Sequence, residues 1–169
     1  MNLISDIAAW DKKSVNIIVQ IYDHYSAEPE FVRQIVSLMP SETLQSGSTW
    51  LLKHYLEHHK QPIAEHLVET IYLHLDKLVE WEAKLHVLQC MQYLPVSKIC
   101  KNSTELFILE NIVSEVKFVR AWAYSGYYHL ARQYPELRQQ VERVLTDALE
   151  NDPAASVKAR VRKLFKNGF

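Results

Sequence analysis

VRAWAYSGYYHL, residues 119–130, is the stretch whose reading decides the fold. Val119, Ala123, Gly126, Tyr127 and Leu130 stand at offsets 0, +4, +7, +8 and +11, which a 3.6-residue helix carries on one face. Arg120 follows the leading valine and points off that face. A helix of this kind hides its apolar stripe against neighbours. If the pattern recurs, the chain is a repeat array whose function lies on a surface instead of in a pocket.

The pattern does recur. Taking Val119 as offset 0, further starts fall at Ser14, Ser48, Ala83 and Val157, with steps of 34, 35, 36 and 38. The +4 positions read Ile18, Leu52, Val87, Ala123 and Val161, and the +7 positions Ile21, Tyr55, Cys90, Gly126 and Leu164. At +8 stand Tyr22, Leu56, Met91, Tyr127 and Phe165. None is charged, although 23% of the chain is, so chance would place about three or four charges there.

Segments suited to a partner helix lie between these inner helices. Pro29 opens PEFVRQIVSLM, Pro62 opens PIAEHLVETIYLHLDKL and Pro135 opens PELRQQVERVLTDALE; proline is tolerated in a first turn, where its missing N–H costs nothing. Ser103 or Thr104 is suited to cap TELFILENIVSE. Pro29, Pro62 and Pro95 are spaced 33 and 33 apart, a second trace of the period. A short helix over Asn2 to Trp10 gives the first repeat a truncated partner. A lone helix pair cannot bury its stripe, so pairs must stack, and roughly three or more are needed. The sequence predicts a single all-α domain over 1–169, an α-solenoid of about five helix pairs at roughly 1–26, 27–60, 61–95, 96–134 and 135–169. An irregular helical bundle is the alternative, because bundles share the 3.6-residue period.

Composition agrees. Of the 169 residues, 48% are hydrophobic, while three glycines and six scattered prolines favour helices joined by short turns over a many-turned β sandwich. Residues 1–115 hold 9 basic and 15 acidic side chains, giving −6; residues 116–169 hold 10 and 5, giving +5. Each end therefore attracts partners of opposite sign. The two cysteines, Cys90 and Cys100, are expected as free thiols of a reducing compartment, since a bridge across ten residues with one partner in mid-helix is unfavourable. MNLISDIAAWDKK lacks a basic n-region and carries Asp6 within its apolar run, so no secretory signal is expected. No stretch approaches the ~20 apolar residues that span a bilayer. The expectation is a cytoplasmic protein without membrane contact.

At the inner helices the chain resembles the HEAT-repeat family of armadillo-like α-solenoids. That family's inner helix typically reads Asp-Pro, then Val-Arg, a small residue at +4 and small-Leu at +7 and +8. NDPAASVKARVRKLF matches through Asp152, Pro153, Val157, Lys158, Val161, Leu164 and Phe165, and VRAWAYSGYYHL through Val119, Arg120, Ala123 and Gly126. Ala83 and Lys84 begin a looser match, and Ser14-Val15 and Ser48-Thr49 replace Val-Arg in the first two repeats. The resemblance implies a right-handed stack whose inner helices line a concave groove, used in this family mostly to hold proteins and in a minority to hold nucleic acid.

Lys84, Arg120 and Lys158 share the +1 offset. They form either a basic ladder along the groove, extended by Arg162, Lys163 and Lys166, or a structural ladder bonded to acids or carbonyls of the inter-helix turns, with Asp152 and Glu115 as candidate partners. Tyr124 and Tyr128, four apart beside Arg120, suit a stacking platform, or else wall the interface with the next repeat. His54 and His58 share a helix face, but HExxH is absent and the sequence assigns no third ligand, so solvated histidines are expected and no metal or cofactor. A glycine-rich phosphate loop, a GxSxG elbow and CxxC are all missing, so no catalytic residues are assigned. The expected function is a non-enzymatic scaffold holding a protein partner through Lys84, Arg120, Tyr124, Tyr128, Lys158, Arg162 and Lys163. The alternative is nucleic-acid binding of the HEAT-like DNA-repair type through the basic C-terminal third.

Overall fold

Each of the five stripes falls on a helix of the computed structural model, with Met91 just past the end of its own; the structure describes residues 2–59 and 62–168. The expected boundary between the second and third repeats, at 60 and 61, lies outside those residues. Among the described residues the chain is all-α, with helices α1 (Leu3–Ala9), α2 (Val15–Tyr25), α3 (Phe31–Leu38), α4 (Gln45–His58), α5 (Glu65–Leu73), α6 (Trp81–Cys90), α7 (Lys101–Ile112), α8 (Lys117–Gln133), α9 (Arg138–Asn151) and α10 (Ala155–Asn167). Short 3-10 turns at Leu75–Lys77 and Pro135–Leu137 complete the regular structure. No described helix is long and apolar enough to cross a membrane.

The stripe residues sit where a 3.6-residue period sends them. All the +4, +7 and +8 positions are buried except Tyr55, which is half-buried, and Phe165, which is exposed on the last helix. Even-numbered helices form a row, α2 against α4, α4 against α6, α6 against α8 and α8 against α10. Odd-numbered helices form a second row in which α5 packs on α3 and α7. The rows join where α3 meets α4, α7 meets α8, and α9 meets α8 and α10, while α1 covers α2 and α4. Close approach of helices to α4 and α8 requires small residues. A Cβ on Gly47 would lie 2.6 Å from Cγ2 of Ile7 on α1, and one on Gly126 would lie 2.8 Å from Sδ of Met91 just beyond α6.

Hydrogen bonds between side chains and distant groups repeat the period. They link residues 32 to 40 apart, as in Arg120–Asp152 and Tyr128–Gly168, or join neighbouring helices at shorter range, as in Tyr127–Glu105 with 22. Tyr72 donates to the carbonyl of Leu94 at 2.6 Å, and Tyr134 to that of Val96 at 2.7 Å. Fully buried Gln45 accepts the backbone N–H groups of Val79 (2.7 Å) and Glu80 (2.9 Å) through Oε1 and donates to the Lys77 carbonyl at 3.4 Å.

Three local expectations change. The helix expected to start at Ser103 or Thr104 begins at Lys101. Ser97 Oγ accepts the Cys100 N–H, the Ser103 hydroxyl turns back onto the Cys100 carbonyl, and Thr104 is buried in the helix. The stripe after Pro62 does not run as one helix: α5 starts at Glu65 and ends at Leu73, and Leu75 and Leu78 reach the core from the 3-10 turn and its end. Consequently α5 leans on α3 and α7 more than on α6, its expected partner. Cys90 and Cys100 are both buried and free, and burial pushes the Cys90 thiol pKa well above its ordinary value.

Candidate functional site

Two clusters of chemically active side chains lie on the even row, one at α8 and α10 and the other on α4. The first forms because α8, seventeen residues long, is flanked by α6, α7, α9 and α10, so that little of its circumference stays open. Phe118 is exposed and Trp122, one turn later on the same face, is half-buried. On α10 the guanidinium of Arg160 stacks over the Trp122 indole, 3.6 Å from the ring centroid. Cation–π contact of this kind is worth about 0.5–2 kcal/mol depending on desolvation. Half-buried Arg160 makes no ion pair among the described residues, and burial lowers its pKa from the ordinary arginine value, although it stays charged. Lys163, one turn further along α10, is exposed, and Arg162 is exposed beside it.

Arg120 is used inside the fold. Its Nε and Nη2 donate to the two carboxylate oxygens of Asp152 at 3.0 and 3.1 Å, and Nη1 donates to the carbonyls of Ser114 (2.8 Å) and Glu115 (3.2 Å). One side chain thus ties the turn before α8 to the turn before α10. Burial pushes the Asp152 carboxyl up, but the Arg120 hydrogen bonds, the Ala154 N–H and the nearby Arg120 and Lys158 charges outweigh it and hold the pKa below the usual carboxylate value. Lys158 Nζ donates to the Glu150 carbonyl at 2.9 Å. Lys84 lines a surface hollow with Asp76, Ser103 and Glu110. The +1 bases at 120 and 158 therefore follow the structural course of the two considered for the ladder.

The tyrosine platform is corrected. Tyr124 is 8% exposed and Tyr128 1%, so neither presents a ring face to solvent. Tyr128 donates to the carbonyl of Gly168 beyond α10, and burial raises the Tyr124 pKa next to the Asp152 charge. Both wall the contact between α8 and α10, because a helix inside a row is covered on two flanks as well as on its stripe. Aromatic side chains that stay at the surface beside the cations are Phe118 and Phe165, with Trp122 half-buried against the core.

The second cluster lies on the last two turns of α4. His54 stacks on Trp50 with centroids 4.8 Å apart and planes 13° from parallel, and meets Tyr22 of α2 edge-on at 4.5 Å. His58, with its ring 4.0 Å from that of His54, donates Nδ1–H to the His54 carbonyl at 2.7 Å. Glu57 pairs with Lys53 at 3.3 Å, and Lys53 Nζ lies 5.5 Å from the Trp50 ring centre. Donor atoms of His54, Glu57 and His58 all fall within 4.8 Å of one another. Glu57 is thus the third candidate ligand that sequence alone did not assign. Burial lowers the His54 pKa, helped by the His58 and Lys53 charges.

No family model matches the chain, and neither a curated protein nor a solved structure matches it.

Proposed function

We propose that this chain is a non-enzymatic HEAT-like α-solenoid that binds an acidic segment of a protein partner on the open face of its even-numbered helices. The two helix rows, and hydrogen bonds that step 32 to 40 residues along the chain, support the solenoid reading. The binding reading rests on Arg160, a cation stacked on Trp122 with no carboxylate to neutralise it among the described residues. A half-buried charge has lost hydration without gaining a counterion, so a carboxylate supplied from outside recovers what burial removed. Exposed Phe118 and Lys163 extend the ridge, one offering an apolar contact and the other a second charge. Aromatic and arginine side chains at the centre of a contact typically dominate its free energy. Acidic residues over 1–115 disfavour a polyanion running the length of the row, which places nucleic acid second.

Fluorescence anisotropy tests this with a labelled Asp/Glu-rich peptide containing one aromatic residue and a labelled single-stranded oligonucleotide of similar charge, at ~50 mM salt. Binding of the peptide, weakened about tenfold or more by Arg160→Glu, is the expected result. Equal peptide affinity in Arg160→Glu removes the assigned site. Binding of the oligonucleotide alone transfers the function to nucleic acid.

A further inference from the structure

The α4 cluster carries an inference independent of the α8–α10 ridge. We propose that His54, Glu57 and His58 form a site for a divalent transition-metal ion of the zinc class, with at least one coordination position left open. Three observations converge on it. The donor atoms lie within 4.8 Å of one another, and ligands on one tetrahedral ion sit roughly 3.3 Å apart, so modest side-chain rotation closes the site without moving the helix. The hydrogen bond from His58 Nδ1 to the His54 carbonyl fixes the His58 tautomer and leaves the Nε2 lone pair free. Metal-bound histidines ordinarily have their second nitrogen oriented in this way by a carbonyl or carboxylate. Finally, His54 is held by Trp50 on its face and Tyr22 at its edge, so little side-chain freedom remains to be lost on binding.

The surroundings support the same site. His59, which follows α4, hydrogen-bonds through Nδ1 to the Tyr22 hydroxyl at 3.1 Å and stacks on Tyr55 at 4.1 Å, anchoring the end of the helix to α2. Two imidazoles and one carboxylate suit Zn(II), Co(II), Ni(II) or Cu(II) better than Mg(II) or Ca(II), which prefer all-oxygen shells. Lys53 is the resident competitor, since its ammonium occupies the Glu57 carboxylate that the metal would take. A cation arriving at Glu57 replaces one positive charge with a doubly charged one, and Lys53 swings into solvent. Three protein ligands on one exposed helix face leave room for water or a donor from a bound partner.

Titration calorimetry of the full chain with Zn(II) chloride in a non-coordinating buffer tests the site. The expected result is one saturable equivalent, with affinity falling about tenfold or more in His58→Gln, whose exposed side chain supports no core contact. Lys53→Met should tighten binding, because it frees Glu57, whereas Glu57→Gln should weaken it. Far-UV circular dichroism checks that each variant keeps its helices. Co(II) provides a second readout, a visible d–d spectrum present in the parent chain and lost in His58→Gln. Absence of saturable Zn(II) binding, or an affinity unchanged by His58→Gln, overturns the proposal. Weaker binding in Lys53→Met overturns Glu57 as a ligand.

Discussion

The turn before α6 is held by a neutral amide, whereas the turns before α8 and α10 are held by a charge pair. Gln45, fully buried at the start of α4, accepts two backbone N–H groups and donates to one carbonyl of the 77–80 segment. Arg120 performs the corresponding task from the first turn of α8, but it grips two turns together and needs Asp152 to do so. The contrast follows from burial. An amide carries no net charge and tolerates a site closed on every side, while an ion pair loses hydration that its partner and further hydrogen bonds must replace. Asp152 is 4% exposed and Arg120 14%, and five hydrogen bonds around the pair supply that replacement.

Arg120→Ala should produce the largest loss. It leaves a nearly buried carboxylate without its counter-charge and frees two carbonyls, so urea unfolding should show a loss of about 3 kcal/mol. The charge pair also gives this joint a pH dependence that Gln45 lacks. Because the folded Asp152 pKa lies below the ordinary value, its contribution is complete above the unfolded pKa of about 3.9 and disappears as pH falls through the folded value. Stability should therefore drop below about pH 4 in the parent chain, and by less in Arg120→Ala, where that linkage has gone. Gln45→Leu should cost about 2 kcal/mol by orphaning the Val79 and Glu80 N–H groups, with the acid limb left as in the parent. Identical acid limbs in the two variants would break the distinction between the joints.

The smallest effects come from the two close-approach glycines. Gly47→Ala sets its methyl against the branched, stiff Ile7, and should lose about 1 kcal/mol despite the better helix propensity of alanine. Gly126→Ala meets the sulfur of Met91, a flexible thioether that can rotate away, and should change the urea midpoint little. A larger loss at Gly126 than at Gly47 would mean that the α6–α8 contact is the more rigid of the two.

What was legible in the sequence was whatever repeats. Ile18, Leu52, Val87, Ala123 and Val161 were readable as core because apolar spacing within a helix and between helices is a pattern along the chain. The pairing of Arg120 with Asp152 was readable as one of two courses for the same reason. Tyr124 and Tyr128 stood open between a platform and an interface wall because periodicity marks one buried stripe, while α8 is also enclosed by helices on both sides. Gln45 and the Trp122–Arg160 stack depend on side-chain geometry between helices, which no spacing encodes, whereas Glu57 shares the His54/His58 face by its i+3 spacing and was passed over. The early end of α5 was equally hidden, since LHLDKL continues the apolar period through a 3-10 turn.

Among the described residues, hydrogen bonds such as Tyr128–Gly168 step about one unit along the sequence, which has a kinetic consequence. Apart from the surface Lys12–Glu80 ion pair, which spans two units, the side-chain partners among the described residues lie about one unit away or nearer, so few long loops need close before favourable contacts form. On the proposed solenoid reading, folding can start at any adjacent pair of units and spread in both directions. The joint at Gln45 and the joint at Arg120 then become two rungs separated by the α6–α8 contact, and weakening either should let the segments on its two sides melt at different temperatures.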